Sequence, residues 1–417
     1  MTSRDEVLLN HALVVRDGRI LDVLPSAHVA GRYDATVHVD RSEHLLLPGL
    51  VDAYTRLHPH PHPHPGLGGA SDDTSGEALV RVAQMLASGT TCFCSTGFHP
   101  TESARIAAEQ GMRAVIGMPI AADPSSWARD PDEYLTRALG FRDEYRGHPF
   151  IATAFAPHAP VWIPDATLLR IATLADELEA GIVMALHESR VEIEESMQRH
   201  GRRPLVRMQG LGLLTPALTA AQMVHVDAAD IALAERTGIA VSLCPEAALR
   251  AGNGLPPLDA WARTGLRQSL GSGADARATS PNLWNEIRLV ALFAGASDGA
   301  PADDAAWNAL GMATRGGAAA LGLETQIGTL ERGKWADLCC IDARSPAMHG
   351  AAAESPLAAL AQWTLSGGRD TVSDVWVAGR HLLNDRKFTR LDWPRLAARL
   401  RAPSGQSLEG GNHADIY

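Results

Sequence analysis

The segment LLLPGLVDAYTRL, residues 45–57, is the first of eight short apolar runs that are rich in β-branched residues. Each run is followed by a stretch with the apolar periodicity of a helix. Strands that alternate with helices are typical of βα units around a parallel sheet, and eight such units predict a TIM (β/α)8 barrel. The other seven runs span Thr91–Ser95, Ala114–Pro119, Phe150–His158, Ile182–Glu188, Leu218–Val226, Ile239–Glu246 and Arg267–Ala274.

The two ends of the chain differ from this βα pattern. Residues 1–47 contain short strand patterns separated by turns such as Asp17-Gly18, and residues 327–390 repeat the same style. We therefore predict an α/β protein in which both ends join as a small β-sandwich beside a barrel of residues 48–326. A C-terminal helix followed by a mobile tail is expected over residues 391–417.

The charge of the chain argues against two classes of partner. Its 417 residues include 37 basic and 48 acidic side chains, which give a formal net charge of −11. This charge repels nucleic-acid phosphates and anionic membrane surfaces. The sequence also has neither an N-terminal leader pattern nor a run of ~20 apolar residues that could span a membrane. We therefore expect a cytoplasmic protein with no nucleic-acid or membrane partner.

Several motifs carry a resemblance to a known superfamily. The runs PGLVDA at residues 48–53, AFAPHAP at 154–160 and GTLERGKWADL at 328–338 together resemble the amidohydrolase superfamily. Within it, residues 132–149, taken with the His158 motif, are similar to the methylthioadenosine/S-adenosylhomocysteine deaminases. The resemblance implies a barrel fold, a hydrolase or deaminase ancestry and a homodimer.

The resemblance also implies one zinc ion at the C-terminal mouth of the barrel. Members of this family hold zinc with two histidines of a His-x-His on strand 1, a histidine on strand 5 and an aspartate on strand 8. The corresponding positions of this sequence carry Tyr54, Arg56, Ala185 and Gly273. An arginine has no lone pair to donate, and an alanine methyl cannot ligate a metal. We therefore expect a degenerate metal site and no bound cofactor.

The other pocket positions of the family are retained in part. A family histidine on strand 6 aligns with Gln222, whereas His158 and Glu188 are kept. His158 and Glu188 are therefore the candidate catalytic residues, and Glu188 is either a residual acid or base or a plain carboxylate near the mouth. Gln222, Tyr54 and Arg56 are the candidate binding residues.

Arg56 and Glu188 are both expected to point into the mouth of the barrel. We predict an ion pair between them that fills the volume of the lost metal, and an anion-binding role for Arg56 is the alternative. His187 is next to Glu188 and so faces the opposite side of its strand, because successive strand residues alternate. It is predicted to be a hydrogen-bonded histidine of the core.

Alternating histidines and prolines follow strand 1, where related enzymes have a longer segment that closes over the nucleoside. The prolines keep His58, His60, His62 and His64 on an extended chain, and histidines two apart share a side and could coordinate a surface metal. Repetition in a tolerant loop is the alternative. A hydrolytic site rebuilt here would also need an acid near strand 8, for which Asp275 is the candidate.

Three functions remain open. The first is a pseudoenzyme with the amidohydrolase fold that binds an unknown small molecule or a partner protein, such as an active paralogue. The second is a metal-free enzyme that uses Tyr54, Arg56, His158, Glu188 and Gln222 in acid-base chemistry. The third is a retained hydrolase or deaminase that acts on C–N bonds with a relocated metal.

Overall fold

The computed structural model describes residues 7–58, 74–273, 280–298, 302–346 and 356–401. The tail predicted to follow the last helix lies outside these ranges. No helix within the ranges is both long enough and apolar enough to cross a membrane.

The strands of the described residues form a parallel barrel and two antiparallel sheets. The eight strands between Leu50 and Leu270 follow one another in chain order around a nearly closed barrel, which confirms the predicted fold. The strands are β1 (His11–Arg16), β2 (Arg19–Pro25), β3 (His44–Pro48), β4 (Leu50–Thr55), β5 (Thr90–Ser95), β6 (Arg113–Ile120), β7 (Ile151–Pro157), β8 (Gly181–Leu186), β9 (Leu218–Gln222), β10 (Ala240–Leu243), β11 (Arg267–Leu270), β12 (Leu338–Asp342), β13 (Val372–Val377), β14 (Arg380–Asn384) and β15 (Lys387–Phe388).

Helices follow the barrel strands and cover their outer side. One of them ends as its sequence predicts, because Gly111 terminates α2 in the left-handed conformation with φ 76°. The helices are α1 (Thr74–Ala87), α2 (Pro100–Gln110), α3 (Pro131–Glu144), α4 (Asp165–Glu177), α5 (Arg190–His200), α6 (Pro204–Gly210), α7 (Ala228–Thr237), α8 (Pro245–Arg250), α9 (Leu258–Ala262), α10 (Leu283–Asp298), α11 (Ala302–Gly311), α12 (Gly317–Ala320), α13 (Pro356–Ser366) and α14 (Trp393–Arg401).

The first apolar run is two strands instead of one. Residues 44–48 form β3 of an antiparallel sheet, and residues 50–55 form β4 of the barrel. Gly49 separates them at a point where a Cβ atom would lie 2.1 Å from the Thr91 hydroxyl oxygen. Only glycine therefore fits at the crossing from one sheet to the other, a packing constraint that hydrophobic periodicity does not reveal.

Segments from both ends of the chain meet in the antiparallel sheets. The five-stranded sheet has the order β15-β14-β13-β12-β3, and β1 and β2 form a separate hairpin that turns at Asp17-Gly18. The hairpin joins the rest through a bridge between Arg19 and Trp335. A buried ion pair of 2.8 Å between Arg113 and Asp337 attaches this region to β6 of the barrel. The predicted joining of the two ends is therefore confirmed.

The first and last barrel strands meet without a continuous ladder of hydrogen bonds. Strand β11 has β10 as its neighbour, and β4 has β5, but β11 and β4 are not paired. The backbone N–H of Gly273 donates to the carbonyl of Tyr54 at 2.9 Å. A Cβ on Gly271 would lie 2.7 Å from the same carbonyl oxygen. The two backbones thus approach more closely here than a side chain allows.

Candidate functional site

Strand β4 brings Tyr54 and Arg56 to the C-terminal end of the barrel. Tyr54 is only 4% exposed and packs with Cys94 and Val183 inside the barrel. Burial raises the pKa of its phenol, while the Arg56 guanidinium lowers that pKa and the Glu188 carboxylate raises it. The phenol therefore has both a cation, Arg56, and an anion, Glu188, as neighbours.

The ion pair predicted between Arg56 and Glu188 stays a prediction. Both side chains interact electrostatically with the phenol of Tyr54. The carbonyl of Arg56 also accepts a hydrogen bond from Arg81 at 3.2 Å. Glu188 directly precedes the N-terminus of α5, where the helix dipole favours a carboxylate.

Glu192 is a site residue that sequence reasoning missed. Its Oε2 accepts a hydrogen bond of 2.7 Å from the backbone N–H of Glu188. Burial raises the pKa of Glu192 to about 7, helped by the nearby Glu188 carboxylate. Its Oε1 is buried and has no hydrogen-bond partner. The spacing of Ser189 and Glu192 is that of a capping box, and Ser189 accepts from the Glu192 N–H at 3.1 Å, so this pattern could have identified Glu192.

Gln222 ends strand β9 in a strained conformation. Its φ is 73° and that of Met223 is 48°, values that residues with a Cβ rarely adopt. The side chain is buried, and Oε1 lacks a hydrogen-bond partner. The amide nitrogen lies 3.4 Å from the point where a Cβ on Gly273 would be. Strain and an unsatisfied acceptor often mark functional positions, and here both occur beside the strand 8 position.

His187 occupies the core, as predicted. It is fully buried, and its Nε2 accepts a hydrogen bond of 3.1 Å from the Leu205 N–H at the start of α6. Its Nδ1 lies 3.1 Å from the carbonyl oxygen of His225. Burial lowers the pKa of His187, which favours the neutral ring that this pair of contacts requires.

His158 lines the same small cavity as Tyr54. Its backbone N–H donates to Ile120 at 2.8 Å, and its ring contacts Phe98 edge-on with 5.0 Å between ring centroids. A cavity of about 10 Å³ lies between His158 and Tyr54. This volume accommodates roughly one water molecule. The interior between these two side chains is therefore almost filled.

His58 is the described part of the histidine-proline tract. Its ring is 6% exposed, and it lies 4.9 Å from the ring of His99 and 3.9 Å from a carboxylate oxygen of Glu102. Burial and the neighbouring His99 lower the pKa of His58 to about 4. The prediction of a surface metal also involved His60, His62 and His64, and the rebuilt hydrolytic site involved Asp275. These four residues lie outside the described residues.

The residues at the family's ligand positions do not fit a zinc ion. Tyr54 has a raised pKa, Arg56 is a cation and Ala185 has no donor atom. Gly273 has φ 54°, and a Cβ there would lie 2.7 Å from the Cβ of Ala247. An aspartate at position 273 would therefore need the backbone and its neighbours to move. Among the described residues, no group of three or more histidine, cysteine, aspartate or glutamate side chains could hold a metal.

Asp52 and Ser272 were also missed from the sequence. Asp52 lies on β4 and is fully buried, and Ser272 follows β11 on the other side of the barrel seam. Their side chains are in direct hydrogen-bond contact at 2.6 Å. An aspartate within an apolar barrel strand was the available signal, since a buried carboxylate needs a partner.

Comparison with known proteins agrees with the fold and with the motifs. The sequence profile of the Amidohydrolase family matches residues 45–382. The chain is 36% identical to a 5-methylthioadenosine/S-adenosylhomocysteine deaminase of Teredinibacter turnerae, covering 93% of this chain and 90% of the relative. A deaminase with the same description from Saccharophagus degradans is 33% identical, with 91% and 88% covered.

A solved structure gives the same result. The crystal structure of an adenosine deaminase from Xanthomonas campestris with bound zinc superposes with a TM-score of 0.87. It is 33% identical in sequence, and the match covers 95% of this chain and 93% of that chain. The profile match and the identity over nearly the whole length lead to one conclusion: the chain belongs to the amidohydrolase family.

Proposed function

We propose that this amidohydrolase does not deaminate nucleosides through a zinc ion and instead binds a small molecule at the mouth of its barrel. The strand 8 position supports this proposal most strongly. A side chain at position 273 would meet Ala247 at 2.7 Å and Cys244 at 3.0 Å. The family's aspartate ligand therefore has no place in this backbone. Tyr54, Arg56 and Ala185 at the other ligand positions support the same reading.

The mouth offers a ligand a defined set of polar groups. Arg56 supplies a cationic donor, Tyr54 a phenol, and Gln222 a buried carbonyl oxygen with no hydrogen-bond partner. The cavity between Tyr54 and His158 is only about 10 Å³. A ligand would therefore contact the outer faces of these side chains instead of entering between them. Homodimer formation and association with an active paralogue remain further proposals.

One observation favours a second function, that of a metal-free enzyme. Glu188 and Glu192 are neighbours, and burial raises the pKa of Glu192 to about 7. A carboxyl group whose pKa lies near neutral can act as a general acid or base. In this alternative, Glu192 would join Arg56, Glu188 and His158 in acid-base chemistry.

Ammonia release provides the test. Untagged protein, assayed with and without added zinc, is expected to release no measurable ammonia from methylthioadenosine, S-adenosylhomocysteine or adenosine. The Teredinibacter turnerae relative serves as the positive control for the assay. The same three nucleosides, phosphate and small carboxylates are then screened by thermal shift on wild type and on Arg56→Ala, because binding at the mouth should depend on that guanidinium.

Two outcomes would contradict the proposal. Ammonia release by wild type that disappears in Glu188→Gln would show that the protein is a deaminase. Equal and negligible thermal shifts in wild type and Arg56→Ala, across all these compounds, would remove the ligand-binding role of the mouth.

A further inference from the structure

A second, larger cavity has a different lining from the pocket formed by Tyr54 and His158. It has a volume of about 480 Å³ and lies between α8, the start of α10 and the segment after α13. Its volume is within the range of small-molecule sites, roughly 300–1,000 Å³. No residue that lines it also lines the small cavity at the barrel mouth.

Arg288 is the central charge of this cavity. The residue is half-buried on α10, and its Nη2 donates to the carbonyl of Gly367. Its Nε is buried without a hydrogen-bond partner. Among the described residues, no salt bridge of 4.0 Å or less includes Arg288. A half-buried guanidinium that lacks a counter-ion and has an unsatisfied donor is costly unless an anion compensates it.

The other polar groups of the cavity reinforce its preference for an anion. Among the described residues, the buried hydroxyl oxygen of Ser280 has no hydrogen-bond partner, and Arg369 lines the same space. Of the two acidic residues in the lining, Glu246 already pairs with Arg250 at 2.9 Å. The other, Asp370, has a side chain that is 99% exposed. Its charge is therefore strongly screened by solvent.

We propose that this cavity binds the oxyanion group, phosphate or carboxylate, of a small organic molecule. Arg288 presents a planar fork that matches both oxyanions, and the Ser280 hydroxyl supplies a second donor. A volume of about 480 Å³ is larger than a bare oxyanion needs, so the cavity holds the body of the molecule as well. The proposal for this cavity does not rest on the function proposed for the barrel mouth.

Thermal shift with three probes tests the proposal. Inorganic phosphate, glucose 6-phosphate and citrate are titrated into wild type, Arg288→Gln, Ser280→Ala and the control Arg236→Gln, whose arginine is exposed and outside the cavity. At least one probe is expected to raise the melting temperature of wild type and of Arg236→Gln with saturation. The same probe should bind at least tenfold more weakly to Arg288→Gln and several-fold more weakly to Ser280→Ala. A shift with glucose 6-phosphate that exceeds that with phosphate would identify a phosphate ester as the ligand class.

A second measurement requires only folded wild-type protein. Phenylglyoxal modifies accessible arginines, and peptide mass spectrometry reads the extent at Arg288. The probe that shifts the melting temperature should protect Arg288 and leave Arg236 unprotected. The proposal is overturned if no probe binds wild type, or if binding survives unchanged in Arg288→Gln. Binding that is lost in Arg56→Ala and kept in Arg288→Gln would place the probe at the barrel mouth, which overturns this proposal and leaves the function proposed for the mouth standing.

Discussion

Ser272 donates two hydrogen bonds to Asp52 across the seam of the barrel, one from its hydroxyl at 2.6 Å and one from its backbone N–H at 2.9 Å. The Ser272 hydroxyl also lies 2.9 Å from that of Thr55. All three residues are buried. Strands β4 and β11 are not paired by a ladder of backbone hydrogen bonds. These side-chain contacts therefore help to join the first barrel strand to the last.

Removal of the Asp52 carboxyl should therefore destabilise the barrel. Asp52→Ala leaves two buried donors of Ser272 without an acceptor, and we expect the free energy of unfolding to fall by about 2–4 kcal/mol. Asp52→Asn is the matched control, since it retains one carboxamide oxygen and should lose less. Urea denaturation at pH 6 measures both. A change of less than ~0.5 kcal/mol in Asp52→Ala would show that the seam does not depend on this contact.

The same carboxyl should make stability depend on pH. Burial raises the pKa of Asp52 to about 7 from its usual 3.8, an effect larger than the opposing one of its hydrogen bonds with Ser272 and Tyr54. A carboxyl with a raised pKa in the folded state favours folding when protonated. Its contribution is full below about pH 4 and is lost as the pH rises to 7.

The difference in unfolding free energy between wild type and Asp52→Asn should thus fall between pH 5 and pH 7. The expected slope is on the order of 1 kcal/mol per pH unit. The variant is the necessary reference, because burial also raises the pKa of Glu192 and Glu286, which titrate in both proteins. Parallel pH profiles for the two proteins would contradict the assignment.

A side chain at the strand 8 position should be poorly tolerated. Gly273→Ala combines a left-handed φ of 54° with a 2.7 Å contact to Ala247, and we expect it to cost about 2–4 kcal/mol. Gly201 is the control: its φ is 65°, but nothing lies within 4 Å of a Cβ there. Gly201→Ala should cost only about 1 kcal/mol. Thermal denaturation of the two variants measures the difference, and equal losses would mean that position 273 has room for an aspartate.

A double-mutant cycle tests the ion pair predicted between Arg56 and Glu188. If the pair forms, the effects of Arg56→Ala and Glu188→Ala should not add in the double variant, whereas effects that add to within about 0.5 kcal/mol would contradict the pair. Urea denaturation of the four proteins completes the cycle. A coupling energy of 1 kcal/mol or more would show that the pair forms in solution.

The strands could be predicted because they depend on local patterns. Hydrophobic runs reveal barrel strands, and motif positions such as those of Tyr54 and Arg56 lie beside well-matched neighbours. His187 was also placed in the core correctly, although it follows the end of β8 with φ 54° and does not continue the alternation of strand residues. The division of the first run at Gly49 was not visible, because it depends on how closely Thr91 approaches in space.

Contacts between distant side chains were the part that the sequence did not reveal. Asp52 and Ser272 are 220 positions apart, and only the closure of the barrel brings them together. The contact of the Arg56 guanidinium with the phenol of Tyr54 likewise depends on neighbours in space, and the sequence did not predict it. Glu192 is the exception, since its capping-box spacing was present in the sequence.

An anomalous difference map tests most directly whether the barrel mouth holds zinc. Crystals of untagged protein grown with equimolar zinc would be measured at the zinc absorption edge. The predicted result is no peak near Tyr54, Arg56, Ala185 or Gly273. A fully occupied peak at the mouth, with ligand atoms at about 2.0–2.3 Å, would contradict this prediction.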